Sequence, residues 1–94
     1  MELGLKGKVS AITGGSEGVG LATAKRLSVE GASVAICARR QELLQKAADT
    51  IRTAGEADVL AVAADMTRPG EPERFIGDVV QRFGRLDILV NNAG

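Results

Sequence analysis

The 94-residue chain contains no histidine, no tyrosine and no tryptophan. Without histidine, neither a Ser-His-Asp nor a Cys-His catalytic arrangement can be built from it, and a histidine-ligated metal site is excluded as well. General acid–base work would fall to carboxylates and lysines, and no metal ligand set is expected. The one cysteine, Cys37, has no partner for an internal disulfide. It lies in the apolar stretch Val34-Ala35-Ile36-Cys37-Ala38, where a buried, inert thiol is expected. Charge of either sign is not in excess, with 12 basic and 12 acidic residues, so nothing points to a nucleic acid or an anionic membrane as partner. No apolar run approaches the ~20 residues of a membrane span. The opening Met1-Glu2-Leu3-Gly4-Leu5-Lys6 has neither the basic start nor the apolar core of a signal peptide. A cytoplasmic location is the expectation that follows.

What is present is a globular composition, 45% hydrophobic and 26% charged, on a length that allows one small domain at most. Two periodicities alternate along it. Val9 to Thr13 reads as strand one and Val19 to Glu30 as helix A. On that helix Gly20, Ala24, Leu27 and Gly31 recur on one face, whose small residues let it lie close to a sheet, and Gly31 ends it. Ser33 to Ala38 is strand two, an apolar run of the kind buried on both faces of a parallel sheet. Gln41 to Thr53 is helix B, with the stripe Leu44, Ala47, Ala48 and Ile51 and Gly55 as its stop. Ala57 to Ala64 is strand three. Pro72 suits the first turn of helix C, whose stripe is Phe75, Ile76, Val79, Val80 and Phe83. Leu86 to Val90 is strand four, running into Asn91-Asn92-Ala93-Gly94.

Strands alternating with helices imply βαβ units and a parallel sheet. The fold class expected is α/β, a Rossmann-like doubly wound sheet of strand order 3-2-1-4, truncated after strand four. Ligands bind such sheets beyond the carboxyl ends of the strands, at the switch point between strands one and four. Four segments converge there: the glycine-rich turn after strand one, Ala38-Arg39-Arg40, Asp65-Met66, and Asn91 to Gly94.

The glycine-rich turn, Thr13-Gly14-Gly15-Ser16-Glu17-Gly18-Val19-Gly20, joins a strand to a helix. Glycine permits a sharp turn and a close ligand approach. The first helical N–H groups, with the positive end of the helix dipole behind them, favour a phosphate or pyrophosphate. The spacing is G-x-x-x-G-x-G. It is neither the G-x-G-x-x-G dinucleotide pattern nor a P-loop, since no Gly-Lys-Ser/Thr follows.

Taken together these segments resemble the short-chain dehydrogenase/reductase family of the single-domain kind. Thr13-Gly14-x-x-x-Gly18-x-Gly20 is similar to its cofactor signature, Asn91-Asn92-Ala93-Gly94 to its second signature, and Asp65 to its adenine-contacting aspartate. The resemblance covers residues 1–94, read as a partial NAD(P)-binding Rossmann domain forming the N-terminal part of a larger enzyme. It implies that Gly14, Gly15, Ser16 and Glu17 line the adenosine ribose and phosphates, and that Gly18, Val19 and Gly20 bring helix amides to the pyrophosphate. It implies that Asp65 accepts from the adenine amino group with Met66 beside it, and that Asn92, Ala93 and Gly94 lie against the adenosine half. Asn91 either ties neighbouring strands together or touches the ligand.

The end of strand two bears on cofactor choice. NAD-binding members carry an aspartate there, which accepts from the ribose 2′-hydroxyl; here Ala38 is followed by Arg39 and Arg40. Guanidinium groups hold a 2′-phosphate by paired, charge-assisted hydrogen bonds, which favours NADP(H) over NAD(H). Glu17 departs from this pattern, because many NADP-binding members carry a basic residue in the glycine loop. A methyltransferase using S-adenosylmethionine shares the architecture but wants an acid where Ala38 stands.

The resemblance implies an NADP(H)-dependent oxidoreductase: an alcohol dehydrogenase or carbonyl reductase, 3-oxoacyl-thioester reductases included, acting on a ketone or secondary alcohol. Family members usually form homodimers or homotetramers. Their catalytic serine, tyrosine and lysine, the last two spaced Tyr-x-x-x-Lys, lie downstream of the second signature. This chain has no tyrosine, so no catalytic residue is assigned in it. The alternative expectation is a non-catalytic dinucleotide-binding half-domain, a fragment without activity. Its last strand would then be a bare apolar edge, and a chain this size buries only roughly 60–65% of its unfolded surface.

Overall fold

The computed structural model describes residues 4–55 and 57–92. Seven elements follow one another: β1 (Val9–Thr13), α1 (Gly18–Val29), β2 (Ser33–Ala38), α2 (Gln41–Ala54), β3 (Val59–Ala63), α3 (Glu71–Phe83) and β4 (Ile88–Asn91). The strands form one four-stranded sheet in the order β3-β2-β1-β4. Every pairing is parallel, with Ile12 beside Ile36 and Val90, and Ile36 beside Ala61. The expected class and strand order are both observed.

The alternation of side chains along each strand divides the core in two. Ile12, Val34, Ile36 and Val59 face one way and pack with Ala24 of α1 and Leu44, Ala47, Ala48 and Ile51 of α2. Val9, Ala11, Ala35, Cys37 and Val62 face the other way and pack with Phe75 and Val79 of α3. The small sheet side chains on that second face leave room for Phe75, which is wholly buried. Three layers result, with α1 and α2 on one side of the sheet and α3 on the other.

The innermost row of α1 differs from the expected Gly20, Ala24, Leu27, Gly31. It is Gly20, Ala24 and Ser28, with Leu27 half-buried beside it. The reason is α2. The Ser28 hydroxyl donates to the Ile51 carbonyl at 3.4 Å, and a Cβ on Gly55 would lie 2.5 Å from the Ser28 carbonyl oxygen. A small polar residue fits between two helices this close, and a leucine does not.

Two strands, β3 and β4, also have bounds that differ from expectation. Pairing in β3 begins at Val59 rather than 57 and ends at Ala63 rather than 64. Asp58 O and Ala64 N still bond to β2, at 2.9 and 3.0 Å. β4 begins at Ile88 rather than 86. At that point the Asp87 side chain replaces the ladder, its Oδ2 accepting from Val9 N at 2.9 Å while Asp87 N donates to Val9 O at 2.9 Å. Leu89 is 57% exposed on this edge strand. Among the described residues no helix is long and apolar enough to cross a membrane.

Candidate functional site

The carboxyl ends of the four strands are tied side by side, which brings the loops that follow them together. Gly14 N donates to Cys37 O at 3.2 Å and Ala64 N to Ala38 O at 3.0 Å. The Thr13 hydroxyl donates to Asn91 Oδ1 at 3.0 Å and accepts from Asn92 N at 3.0 Å. The Asn91 side chain therefore ties β4 to β1.

The turn from β1 into α1 is shaped by positions that admit no side chain. Gly14 has φ +69°, a region in which most residues are strained. A Cβ on Gly20 would lie 2.4 Å from the Gly14 carbonyl oxygen and 2.7 Å from Asn92 Nδ2. The first turn of α1 therefore lies directly on the glycine turn and on the amide of Asn92. Gly15 is buried with its Cα hydrogen facing Ile36, where a Cβ would meet Cγ2 at 2.5 Å, so contact with a ligand is left to its backbone. Gly18, at φ +60°, opens the helix. Val19 follows, 72% exposed. Glu17 at the N-cap makes no side-chain capping bond, and α1 has no acidic residue in its first turn, unlike α2 and α3. The first N–H groups and the dipole of α1 are thus left for another partner.

A cleft of about 290 Å³ opens beside this turn. Its walls bring together Gly14, Ser16 and Glu17 from the first turn, Arg39 and Arg40 from the second, and Met66 from the third. Gly15, Gly18, Val19, Gly20, Asp65 and Asn92 do not line it, and Ala93 and Gly94 lie outside the described residues. Arg39 and Arg40 are exposed. Their guanidinium groups form no hydrogen bond or ion pair among the described residues. All other arginines except Arg68 are in ion pairs.

Asp65 is half-buried and stands one hydrogen bond behind the wall. Its Oδ1 accepts from the hydroxyl of Thr67, a lining residue, at 2.6 Å and from the Thr67 amide at 3.0 Å. Those two bonds hold its carboxyl below the usual carboxylate range, and the charges of Arg39 and Arg68 add to them. Cys37 lies at the inner end of the cleft, 1% exposed. Burial pushes its thiol up, against a smaller opposing pull from the Gly14 N–H, and the thiol is buried as expected. Thr67 and Leu43 line the cleft without having been singled out from the sequence. The Asp-x-Thr spacing, which favours a local side-chain-to-backbone turn, was the signal for Thr67. Leu43 stands next to the apolar stripe of α2, and nothing in the sequence separates it from that stripe.

The sequence profile of the short chain dehydrogenases matches residues 8–94. The chain belongs to this short-chain dehydrogenase family. It is 43% identical over 90 residues to 11-beta-hydroxysteroid dehydrogenase 1A of Arabidopsis thaliana, covering 96% of this chain and 26% of that protein. It is 46% identical over 87 residues to 11-beta-hydroxysteroid dehydrogenase A of Arachis hypogaea, covering 93% and 25%. Among solved structures, L-sorbose reductase of Gluconobacter frateurii with NADPH and L-sorbose superposes with a TM-score of 0.94. It is 41% identical, covering 100% of this chain and 36% of that one. An NAD+-bound xylitol dehydrogenase superposes with a TM-score of 0.91 at 35% identity, covering 97% and 35%. The chain spans about a quarter of the length of these curated relatives. The sorbose reductase holds NADPH and the xylitol dehydrogenase NAD+.

Proposed function

We propose that this chain is the cofactor-binding part of an NADP(H)-dependent oxidoreductase that interconverts a secondary alcohol and a ketone. The observation that carries the reading is the pair Arg39 and Arg40, unpaired on a cleft that also holds the glycine turn. The site fits such a group in three respects. Gly18 puts no side chain at the start of α1, where a Cβ would meet nothing within 4 Å, the first turn of α1 is uncapped by any side chain, and two guanidinium groups border the neighbouring cleft, able to give a 2′-phosphate paired donors. When bound, the nicotinamide dinucleotide supplies or takes up a hydride.

In this reading Gly14, Gly15, Ser16 and Glu17 border the adenosine ribose and its phosphates. The amides of Gly18, Val19 and Gly20 face the pyrophosphate. Asp65 accepts from the adenine amino group, with Met66 against the ring, and Asn92 and the following Ala93 and Gly94 lie along the adenosine half. The proton transfer that the family assigns to a tyrosine is given to no residue of this chain. A second reading is dinucleotide binding without chemistry of its own. NADPH-dependent reduction of a panel of ketones by a longer polypeptide that carries this chain separates the two: turnover refutes the second, and binding without turnover supports it.

Titrating the chain with NADPH and NADH tests the cofactor assignment. NADPH is expected to bind at least about tenfold tighter, the value of one charge-assisted contact. Equal affinities, or tighter NADH, would refute it. The oligomeric enzyme that family membership suggests, a cytoplasmic homodimer or homotetramer, is part of the same proposal and is tested by the mass of the assembled enzyme in solution.

A further inference from the structure

The loop after β3 folds back on the carboxylate of Asp65. Two donors of one residue, the amide and hydroxyl of Thr67, converge on Oδ1 at 3.0 and 2.6 Å. Two donors on one oxygen fix the rotation of the carboxylate. Oδ2 has no partner among the described residues. The loop backbone is braced independently. Arg68 N donates to Asp65 O at 3.1 Å, and Asp65 N donates to Glu71 Oε1 at 3.5 Å. Arg74 pairs with Glu71 at 2.6 Å and donates to the Ala63 carbonyl at 2.9 Å. The backbone of the loop is therefore held by α3, and the side-chain pose of Asp65 by Thr67.

We propose that Thr67 is a positioning residue, which commits Oδ1 of Asp65 and so leaves Oδ2 as the one acceptor available to a base, selecting a 6-amino purine over a 6-oxo purine. The proposal rests on the reading of Asp65 as the adenine contact. An exocyclic amino group donates to a carboxylate oxygen. A 6-oxo purine presents a carbonyl oxygen at the same place, and acceptor faces acceptor. The same two bonds keep the carboxyl ionised to lower pH. The charged groups around it are Arg39 from the second turn, Arg68 from its own loop and Glu71 from α3.

The test titrates 5′-AMP and 5′-IMP into the 94-residue chain, into Asp65→Ala, and into Thr67→Val and Thr67→Ser, across a pH series. The wild type is expected to prefer AMP by about tenfold, as one charge-assisted hydrogen bond gives. Asp65→Ala abolishes the preference. Thr67→Val lowers it by about threefold or more and moves its acid loss to higher pH, while Thr67→Ser, which keeps the hydroxyl, retains both. Should Thr67→Val not fold, Thr67→Ala takes its place at this exposed position. A wild type with no preference refutes the adenine contact itself, and the proposal with it. A preference that Asp65→Ala removes and Thr67→Val leaves intact overturns the positioning role alone. So does Thr67→Ser behaving like Thr67→Val.

Discussion

The turn from β1 into α1 and the turn from β2 into α2 border the same cleft, and the fold uses them in opposite ways. The first is held by close packing. Gly15 lies on Ile36, Gly20 lies on the Gly14 carbonyl, and the Asn92 amide closes the third side. The second presents two guanidinium groups that the fold does not use. A ligand site built this way separates its tasks. The first turn fixes where a phosphate would sit, at the price of being inseparable from stability. The second can change its chemistry without disturbing the sheet, which agrees with a family whose solved members hold either NAD+ or NADPH on this framework.

The largest expected effect would come from Gly20→Ala. Its Cβ would meet a backbone oxygen that cannot swing aside, and overpacking of this kind costs about 1–3 kcal/mol or more. Urea unfolding measures it, and a change under about 0.5 kcal/mol would break the comparison. Arg39→Asp comes next. It should shift preference from adenosine 2′,5′-bisphosphate towards 5′-AMP by about tenfold or more with little change in the unfolding midpoint, because Arg39 forms no hydrogen bond or ion pair among the described residues and acts on Asp65 through its charge alone. A loss of stability with no loss of preference would reverse the roles assigned to the two turns.

Glu17→Lys is expected to sharpen the contrast. The Glu17 carboxylate lines the cleft with the two arginines and caps nothing. Exchanging its charge should tighten binding of the 2′-phosphate by about fivefold at low salt, an effect that salt then erases.

Away from the cleft, Asp87 is held below the usual carboxylate range by Arg85, at 2.8 Å, and by the Val9 N–H. Asp65 and Glu71 are lowered too, by Thr67 and by Arg74 respectively. A depressed carboxyl contributes stability that is present above its unfolded value and is lost as pH falls through its folded one. Stability should therefore decline below about pH 4. In Asp87→Ala, which removes the acceptor, the Val9 amide should lose part of its hydrogen-exchange protection without acid. Protection of Val9 that is unchanged in that variant would show that the side chain does not carry the β1–β4 seam.

The sequence made the sheet order legible because the signals were redundant. Four strand-like runs, three helical stripes and a glycine or proline at every change of period but the one at Ala38-Arg39-Arg40 all pointed to βαβ units. The ends of β3 and β4 were less legible, since what shortens β4 is an aspartate side chain taking the place of a backbone acceptor, and periodicity does not register that. Ser28 was missed for a similar reason. A serine on an apolar face reads as exposed until the neighbouring helix is seen to approach within a hydrogen bond. The candidate site was legible where its chemistry lies in residue type, at the glycines and at Arg39-Arg40. It was not legible at Thr67, whose part depends on how a loop folds back on Asp65.

The central claim is that one cleft, bounded by the glycine turn and the arginine pair, is where this chain holds a phosphorylated dinucleotide. Amide chemical-shift mapping as NADPH is added to the chain tests it most directly. The account predicts shifts concentrated at Gly14 to Gly20, at Arg39 and Arg40, and across the loop around Asp65 to Thr67. Shifts concentrated instead in the groove beside Ser28, Gly31 and Gly55, or no shifts at saturating NADPH, would contradict it.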